Sequence, residues 1–449
     1  MQQADVVIIG SGQGGVPLAK AFAEEGRRVL LFERAKYGGT CVNYGCLPSK
    51  AFLASAHAAG QARRAGAVGV HAEVTVDFPA VMARARAVTA SSTENVKKGL
   101  LQAGVQLVQG EATFHDEQTV QGGNTTVTAP LIVINTGKSS RIPAIDGLDQ
   151  IDVLTYESFW QINALPPRIL LVGGGYVGVE LGQGLARLGS QVHILERSQR
   201  IVSHEEEAVS QVLQEALQAD GVTFTFGAAV RKVAKENGTY TLTLSNGETM
   251  QGEALLLSVG RRANTAALNV EAAGIALDDQ GHIQVDEHFR TTNPHVYAIG
   301  DVTGQPAFTH VSWEDYRRLK AILDGKERRQ GDRVLVYAFF TDPEVGRAGL
   351  TLAQAQQQGY AAKAVTMPLS EMTRANLLAR ARGFYRLVID EQSDKILGAT
   401  LVGPQTAELI HVFIAHMVNG ATWQVLERSQ HIHPTFGESL PGLARKLMG

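Results

Sequence analysis

The apolar positions near the start of the chain fall into two patterns. "VVII" (6–9) and "VLLF" (29–32) are unbroken apolar runs, which is what strands buried on both faces look like. Between them "GSGQGGVPLAKAFAEEG" reads as a Gly-rich turn and a helix ending at Gly26, and the second strand ends at Glu33. The same unit returns 163 residues later in "RILLVGGGYVGVELGQGLARLGSQVHILER": Gly10, Gly12 and Gly15 become Gly173, Gly175 and Gly178, Gly26 becomes Gly189, and Glu33 becomes Glu196. Further apolar runs "LIVINTG" (131–137), "LLLSVG" (255–260, ending at Gly260) and "HVYAIGDV" (295–302) read as strands completing these units. The pair Pro166–Pro167 precedes the second unit as a boundary signal. From about residue 334 the pattern changes to strands "RLVID" and "ILGATLVG" with a helix "AELIHVFIAHMVNG", and no Gly-rich nucleotide turn follows.

A strand, a G-x-G-x-x-G turn, a helix and a second strand ending in an acid make up a nucleotide-binding βαβ unit. The first glycine allows the tight turn and the second lets a pyrophosphate reach the backbone. The third lets helix and strand pack closely, so that the helix N-terminus faces the phosphates. The terminal carboxylate, Glu33 or Glu196, can accept hydrogen bonds from a ribose diol. One such turn is weak evidence. Two, with the acid at the same offset, predict an α/β chain with two Rossmann-like dinucleotide-binding domains and a third, C-terminal α+β domain.

Composition narrows the partners. At 449 residues the chain exceeds one hydrophobic core, and 44% apolar residues with 47 glycines suit a globular α/β protein. A net charge of −3 predicts neither nucleic-acid nor anionic-membrane partners. No apolar run is long enough to span a bilayer and no signal-peptide pattern opens the sequence, so a cytoplasmic protein is expected. Both cysteines, Cys41 and Cys46, lie in "GGTCVNYGCLPSK" (38–50). A reducing compartment would not keep an ordinary structural disulfide, so such a pair points to chemistry. The run from Leu47 onward is helical in pattern, with Pro48 tolerable in its first turns, and a cysteine at a helix start has a lowered pKa.

The first Gly-rich unit, "GGTCVNYGCLPSK" and the ending "HIHPTFGE" together resemble the flavin-containing pyridine nucleotide–disulfide oxidoreductases, the family of dihydrolipoamide dehydrogenase, glutathione reductase and mercuric reductase. The resemblance covers nearly the whole chain and implies FAD, NADH or NADPH, a redox-active Cys41–Cys46 disulfide and a homodimer. It implies an FAD-binding domain over 1–145 and 265–333, an NAD(P)-binding domain over 146–264 and a dimerisation domain over 334–449. Cys41 would be the interchange thiol and Cys46 the thiol nearest the flavin. Lys50 would lie beside the flavin, paired with Glu180. Thr40, Ala112, Asp301 and Thr309 would line the flavin site, with Glu33 on the adenosine ribose. His433, oriented by Glu438, would be the acid/base serving the other subunit's disulfide, and an imidazole pKa near ~6.5 suits proton exchange with thiols.

The substrate implied is a lipoamide-type dithiol or disulfide. The alternative is reduction of a soft metal ion such as Hg(II) or Cu(II), which "FTHVSWEDYR" and "FFTDPEVGRAGLT" favour by their likeness to mercuric-reductase-related sequences. No third cysteine is available to relay a metal. Tyr44 stands between the cysteines where small aliphatic residues are usual in the family, a departure bearing on access to the disulfide. Glu196 places a negative charge where a 2′-phosphate would sit, which predicts NADH over NADPH, with Arg197 the counter-argument. A remote alternative, a structural zinc module of Cys41, Cys46, His431 and His433, lacks the usual histidine spacing and leaves both nucleotide turns without a purpose.

Overall fold

The computed structural model describes residues 2–448. Val6–Ile9, all four buried, is the central strand of a five-stranded parallel sheet. It pairs with Val29–Glu33 on one side and Ile132–Ile134 on the other; Gln106–Gln109 and Val296–Ala298 complete the edges. Arg168–Val172 has the same central place in a four-stranded parallel sheet, between Gln191–Glu196 and Ala254–Leu257, with Thr223–Phe226 outermost. Sequence repeat and sheet order therefore coincide. The strands read as "LIVINTG" and "LLLSVG" stop early, at Ile134 and Leu257, because each chain then turns into the cavity between the halves. A two-stranded ribbon, Lys138–Ser140 against Arg261–Ala263, links the halves.

The remaining chain forms a five-stranded antiparallel sheet in the order Val336–Phe339, Glu344–Gly349, Ile396–Gly403, Phe384–Asp390, Ala362–Pro368. The helix Thr406–Val418 packs on it through Ile410 and Phe413. Each fully buried side chain of this kind stabilises the fold by about 1.5–3 kcal/mol.

The helix Cys46–Arg64 of the first half lies directly on the helix Tyr176–Leu188 of the second. Contact is close because each helix offers a glycine to a large side chain of the other. A Cβ on Gly184 would lie 2.4 Å from the Phe52 ring, and one on Gly60 would lie 2.8 Å from Cδ of Arg187. Phe52 is fully buried and meets Phe159 and Trp160 edge-on. Arg187, also buried, is neutralised by Asp220 at 2.8 Å and Asp342 at 3.0 Å. No helix among the described residues is long and apolar enough to cross a membrane.

Candidate active site

One continuous cavity of about 2000 Å³ runs between the two sheets, lined by both Gly-rich turns, both acid-bearing strand ends and both cysteines. A pocket for one small molecule is commonly about 300–1,000 Å³, so this volume suits two dinucleotides sharing a space.

The two turns are built alike. Gly10 (φ +101°) and Gly173 (φ +107°) occupy backbone conformations that L side chains avoid, and a Cβ at either would lie 2.5 or 2.3 Å from the carbonyl of Asn135 or Ser258. Gly15 and Gly178 close the turns: a Cβ there would meet the carbonyl of Gly10 or Gly173 at 2.2 or 2.1 Å. The N-cap glycines of the helices Gly15–Glu24 and Tyr176–Leu188 offer no capping side chain. In the second helix the first N–H groups remain available for anionic oxygens, whereas in the first Gly15 already donates to Asn135 and Val16 to Gly12. Gly12 and Gly175 also line the cavity.

Glu33 accepts from the amides of Ser11 (3.1 Å) and Ala35 (2.8 Å); Glu196 accepts from those of Gly174 (2.7 Å) and Ser198 (2.8 Å), residues at the same 163-residue offset. Both carboxylates are thus held at the strand ends where a ribose diol is read. The arginines that follow differ. Arg34 is tied to Glu111 (3.1 Å) and Ser139 (3.2 Å), whereas Arg197 is exposed and makes no hydrogen bond or ion pair among the described residues.

Cys41 lies in the short helix Gly39–Asn43 and Cys46 is the first residue of Cys46–Arg64; both are free thiols, hydrogen-bonded to each other. Their protons are unequally held. The Cys46 thiol is pushed well below the usual thiol range, first by the hydrogen bond from Cys41, against the opposing effect of burial, and further by the Thr309 hydroxyl and the Lys50 ammonium. Cys41 is pushed up by donating that bond and by burial. Cys46 is therefore the more acidic thiol of the pair and Cys41 the one that holds its proton more tightly.

Lys50 Nζ meets Glu180 Oε2 at 2.8 Å, and Glu180 Oε1 accepts from the Phe340 amide at 2.8 Å. Asp301 faces Arg261 at 3.1 Å, and burial pushes its carboxyl up against the pull of Arg261 and Lys138. Thr40, Ala112 and Gly260 line the cavity as well. Tyr44 lines it too, half-buried against the cluster around Phe52, with Lys36 over its ring at 5.5 Å.

His433 stands outside this cavity with its side chain 74% exposed, its Nδ1 2.7 Å from Glu438 Oε2. The carboxylate can only accept, so Nδ1 donates and Nε2 is free. His431 instead meets Ser429 at 2.9 Å. Within one chain the cysteines and these histidines do not form one ligand set, and no group of three or more His, Cys, Asp or Glu among the described residues could hold a metal ion.

One contact and two contributors were not foreseen. The Thr309 hydroxyl, expected as part of the flavin pocket, lies 3.1 Å from the Cys46 sulfur. Asn135 is buried and holds the first turn, accepting from the Gly15 amide at 2.9 Å and donating to Ile299. A polar residue inside "LIVINTG" was its signal. Arg261 joins Asp301 to the Tyr176 hydroxyl at 3.1 Å, a contact with no local signature. The Gly-rich cradles and the paired acids fit FAD in the first half and a pyridine nucleotide in the second.

Known proteins agree with this geometry. The family described as pyridine nucleotide-disulphide oxidoreductase matches residues 4–315, and its dimerisation domain matches 336–444. A mercuric reductase of Streptomyces lividans is 35% identical over 97% of this chain and 94% of its own. A dihydrolipoyl dehydrogenase of Haloferax volcanii is 33% identical over 99% of this chain and 96% of its own. Among solved structures, the Cu(II) complex of the HOCl-induced flavoprotein disulfide reductase RclA from Escherichia coli superposes with a TM-score of 0.91 at 29% identity, covering 100% of both chains. The chain belongs to the pyridine nucleotide–disulphide oxidoreductases, FAD-dependent enzymes that exchange electrons between a pyridine nucleotide and a cysteine pair.

Proposed function

We propose that the chain acts as a homodimer passing two electrons between NADH and a lipoamide-type disulfide/dithiol couple. Residues 1–145 and 265–333 would hold FAD, 146–264 the pyridine nucleotide, and 334–449 would pair the subunits. One observation carries the reading: the cavity holds an unequal thiol pair, while the acid/base couple His433–Glu438 stands ready outside it.

FAD, when bound, supplies the two-electron relay between nicotinamide and sulfur. Everything else falls to the protein's own groups. Cys41 keeps its proton, so it needs a base to become a nucleophile, and Nε2 of His433 of the partner subunit would take that proton. The Cys41 thiolate attacks one sulfur of the substrate disulfide; that S–S bond breaks and the departing thiolate recovers the proton from the imidazolium. The Cys46 thiolate then attacks Cys41 sulfur, closing the internal disulfide and expelling the second substrate thiolate, which takes a proton from solvent. The substrate gains two electrons and two protons, and the cysteine pair loses two electrons.

The fixed Glu196 carboxylate supports NADH over NADPH, since a 2′-phosphate would meet it at the ribose. A reducing cytoplasm suits an enzyme that works through an open dithiol. The name of the S. lividans relative and the Cu(II) bound by the E. coli neighbour favour a second reading, delivery of a soft metal ion to the thiolate pair. Steady-state NADH oxidation with lipoamide, glutathione disulfide, Hg(II) and Cu(II), in wild type and His433→Gln, decides between them. Lipoamide should be the best acceptor, and the variant should lose ~10²- to 10⁴-fold of that turnover. Fast, saturable Hg(II) reduction persisting in His433→Gln, with negligible lipoamide turnover, would place the enzyme with the metal reductases.

A further inference from the structure

The loop after Gln191–Glu196, residues 197–206, runs from the pyridine-nucleotide half to the C-terminal domain. Val202 sits there at φ +41°, a costly conformation for a β-branched residue, while its amide donates to the Gly174 carbonyl at 2.8 Å in the second Gly-rich turn. At the far end the loop is gripped by side chains of the antiparallel sheet. Glu205 accepts from the Tyr337 hydroxyl at 2.5 Å and from Arg347 at 2.8 Å; Glu206 accepts from Arg386 at 2.6 Å and from Thr400 at 2.8 Å. Arg347 is 1% exposed, and its Nε and Nη1 atoms have no partner, so the two glutamates are what hold this enclosed cation.

Tyr337 carries the grip to the cavity. Burial, then the Glu205 charge, push its phenol up, so it stays protonated and donates. Its ring stacks on Phe308 (5.1 Å between centroids, 4° apart) and Phe339 (5.7 Å), and both of those rings pack on Tyr176, the first residue of the helix behind the second turn. Tyr337, Phe308, Phe339, Tyr176 and Glu205 all line the cavity.

We propose that Tyr337, Glu205 and Arg347 form a latch that holds the 197–206 loop and this aromatic wall in the arrangement a pyridine nucleotide needs. They are positioning residues for electron entry and not for thiol exchange. A strained loop released from its anchor relaxes, and the coenzyme must then order it on binding. The inference rests on assigning the second Gly-rich turn to the pyridine nucleotide.

The test is stopped-flow on the holoenzyme. Mixing with NADH alone reads its dissociation constant from flavin reduction, and mixing reduced enzyme with the panel acceptor that wild type turns over fastest reads thiol exchange. Tyr337→Phe keeps the ring stack and removes one oxygen. It should weaken NADH about tenfold, about 1.4 kcal/mol, and change reoxidation by less than about twofold. Glu205→Gln also takes a negative charge from Arg347, so it should weaken NADH at least as much, and the double variant should be no worse than Glu205→Gln alone, because the Tyr337 hydroxyl acts only through Glu205. If Glu205→Gln does not fold, Tyr337→Phe decides alone. An unchanged NADH constant, equal losses in both half-reactions, or additive losses would overturn the latch while leaving the nucleotide assignment standing. Wild type that neither NADH nor NADPH reduces would overturn both.

Discussion

Replacing Thr309 with valine keeps the shape of the side chain and removes the hydroxyl 3.1 Å from the Cys46 sulfur. With Cys46 ionised that hydroxyl can only donate, so the contact stabilises the thiolate and has no counterpart in the valine enzyme. A hydrogen bond to a charged group contributes about 1.5–3 kcal/mol. At about 1.4 kcal/mol per pKa unit, its loss should raise the Cys46 pKa by about one to two units. The sign follows from which form is favoured: Cys46 is depressed in the wild type, so its thiolate persists below the usual thiol range, and Thr309→Val should lose the thiolate at higher pH on acidification. Long-wavelength charge-transfer absorbance between the Cys46 thiolate and oxidised FAD, titrated in two-electron-reduced enzyme, reads this directly. The Cys41 bond and Lys50 remain, so the band should move and not vanish. A midpoint that stays put, or moves to lower pH, would refute the claim that Thr309 donates to this sulfur.

Purified protein should be yellow and release about one FAD per chain, on the one-site logic of the first unit; a folded chain that cannot be reconstituted with flavin contradicts the assignment of Glu33 and its turn. Cys41→Ser should show the charge-transfer band without added reductant while Cys46→Ser should lack it, and the reverse pattern would exchange the two roles. NADH should exceed NADPH in kcat/KM, and Arg197→Ala should leave the NADH value within about twofold because that side chain makes no hydrogen bond or ion pair among the described residues. A clear NADPH advantage that Arg197→Ala abolishes would show that the unpaired guanidinium outweighs Glu196.

What the sequence disclosed and what it hid follow from distance along the chain. A βαβ unit carries its own code within about 30 residues, so both turns, both acids and the helix over Thr406–Val418 were legible from apolar pattern and glycine spacing. Lys50–Glu180 and His433–Glu438 came from resemblance, and both pairs form at hydrogen-bond distance. Thr309 was placed with the flavin pocket, and its contact with Cys46 went unread because a contact spanning 263 residues leaves no periodicity to read. The same holds for Arg261 with Asp301 and for Glu205 with Tyr337, which cross between domains. Arg34 and Arg197 looked equivalent from their matching offset. Only the fold shows that Glu111 and Ser139 occupy the first, while the second has no hydrogen-bond or ion-pair partner among the described residues.

The interlocked helices Cys46–Arg64 and Tyr176–Leu188 bear on how turnover is paced. Phe52 seated on Gly184, Arg187 seated on Gly60, and the Lys50–Glu180 ion pair fasten the two nucleotide halves across one seam. A hinge rotation of one half against the other would have to empty those seats and strand the buried Arg187, so a swinging domain is closed to this fold. Coenzyme arrival and departure then proceed through side-chain and loop movements at the rim, with the two nucleotide halves held as one body.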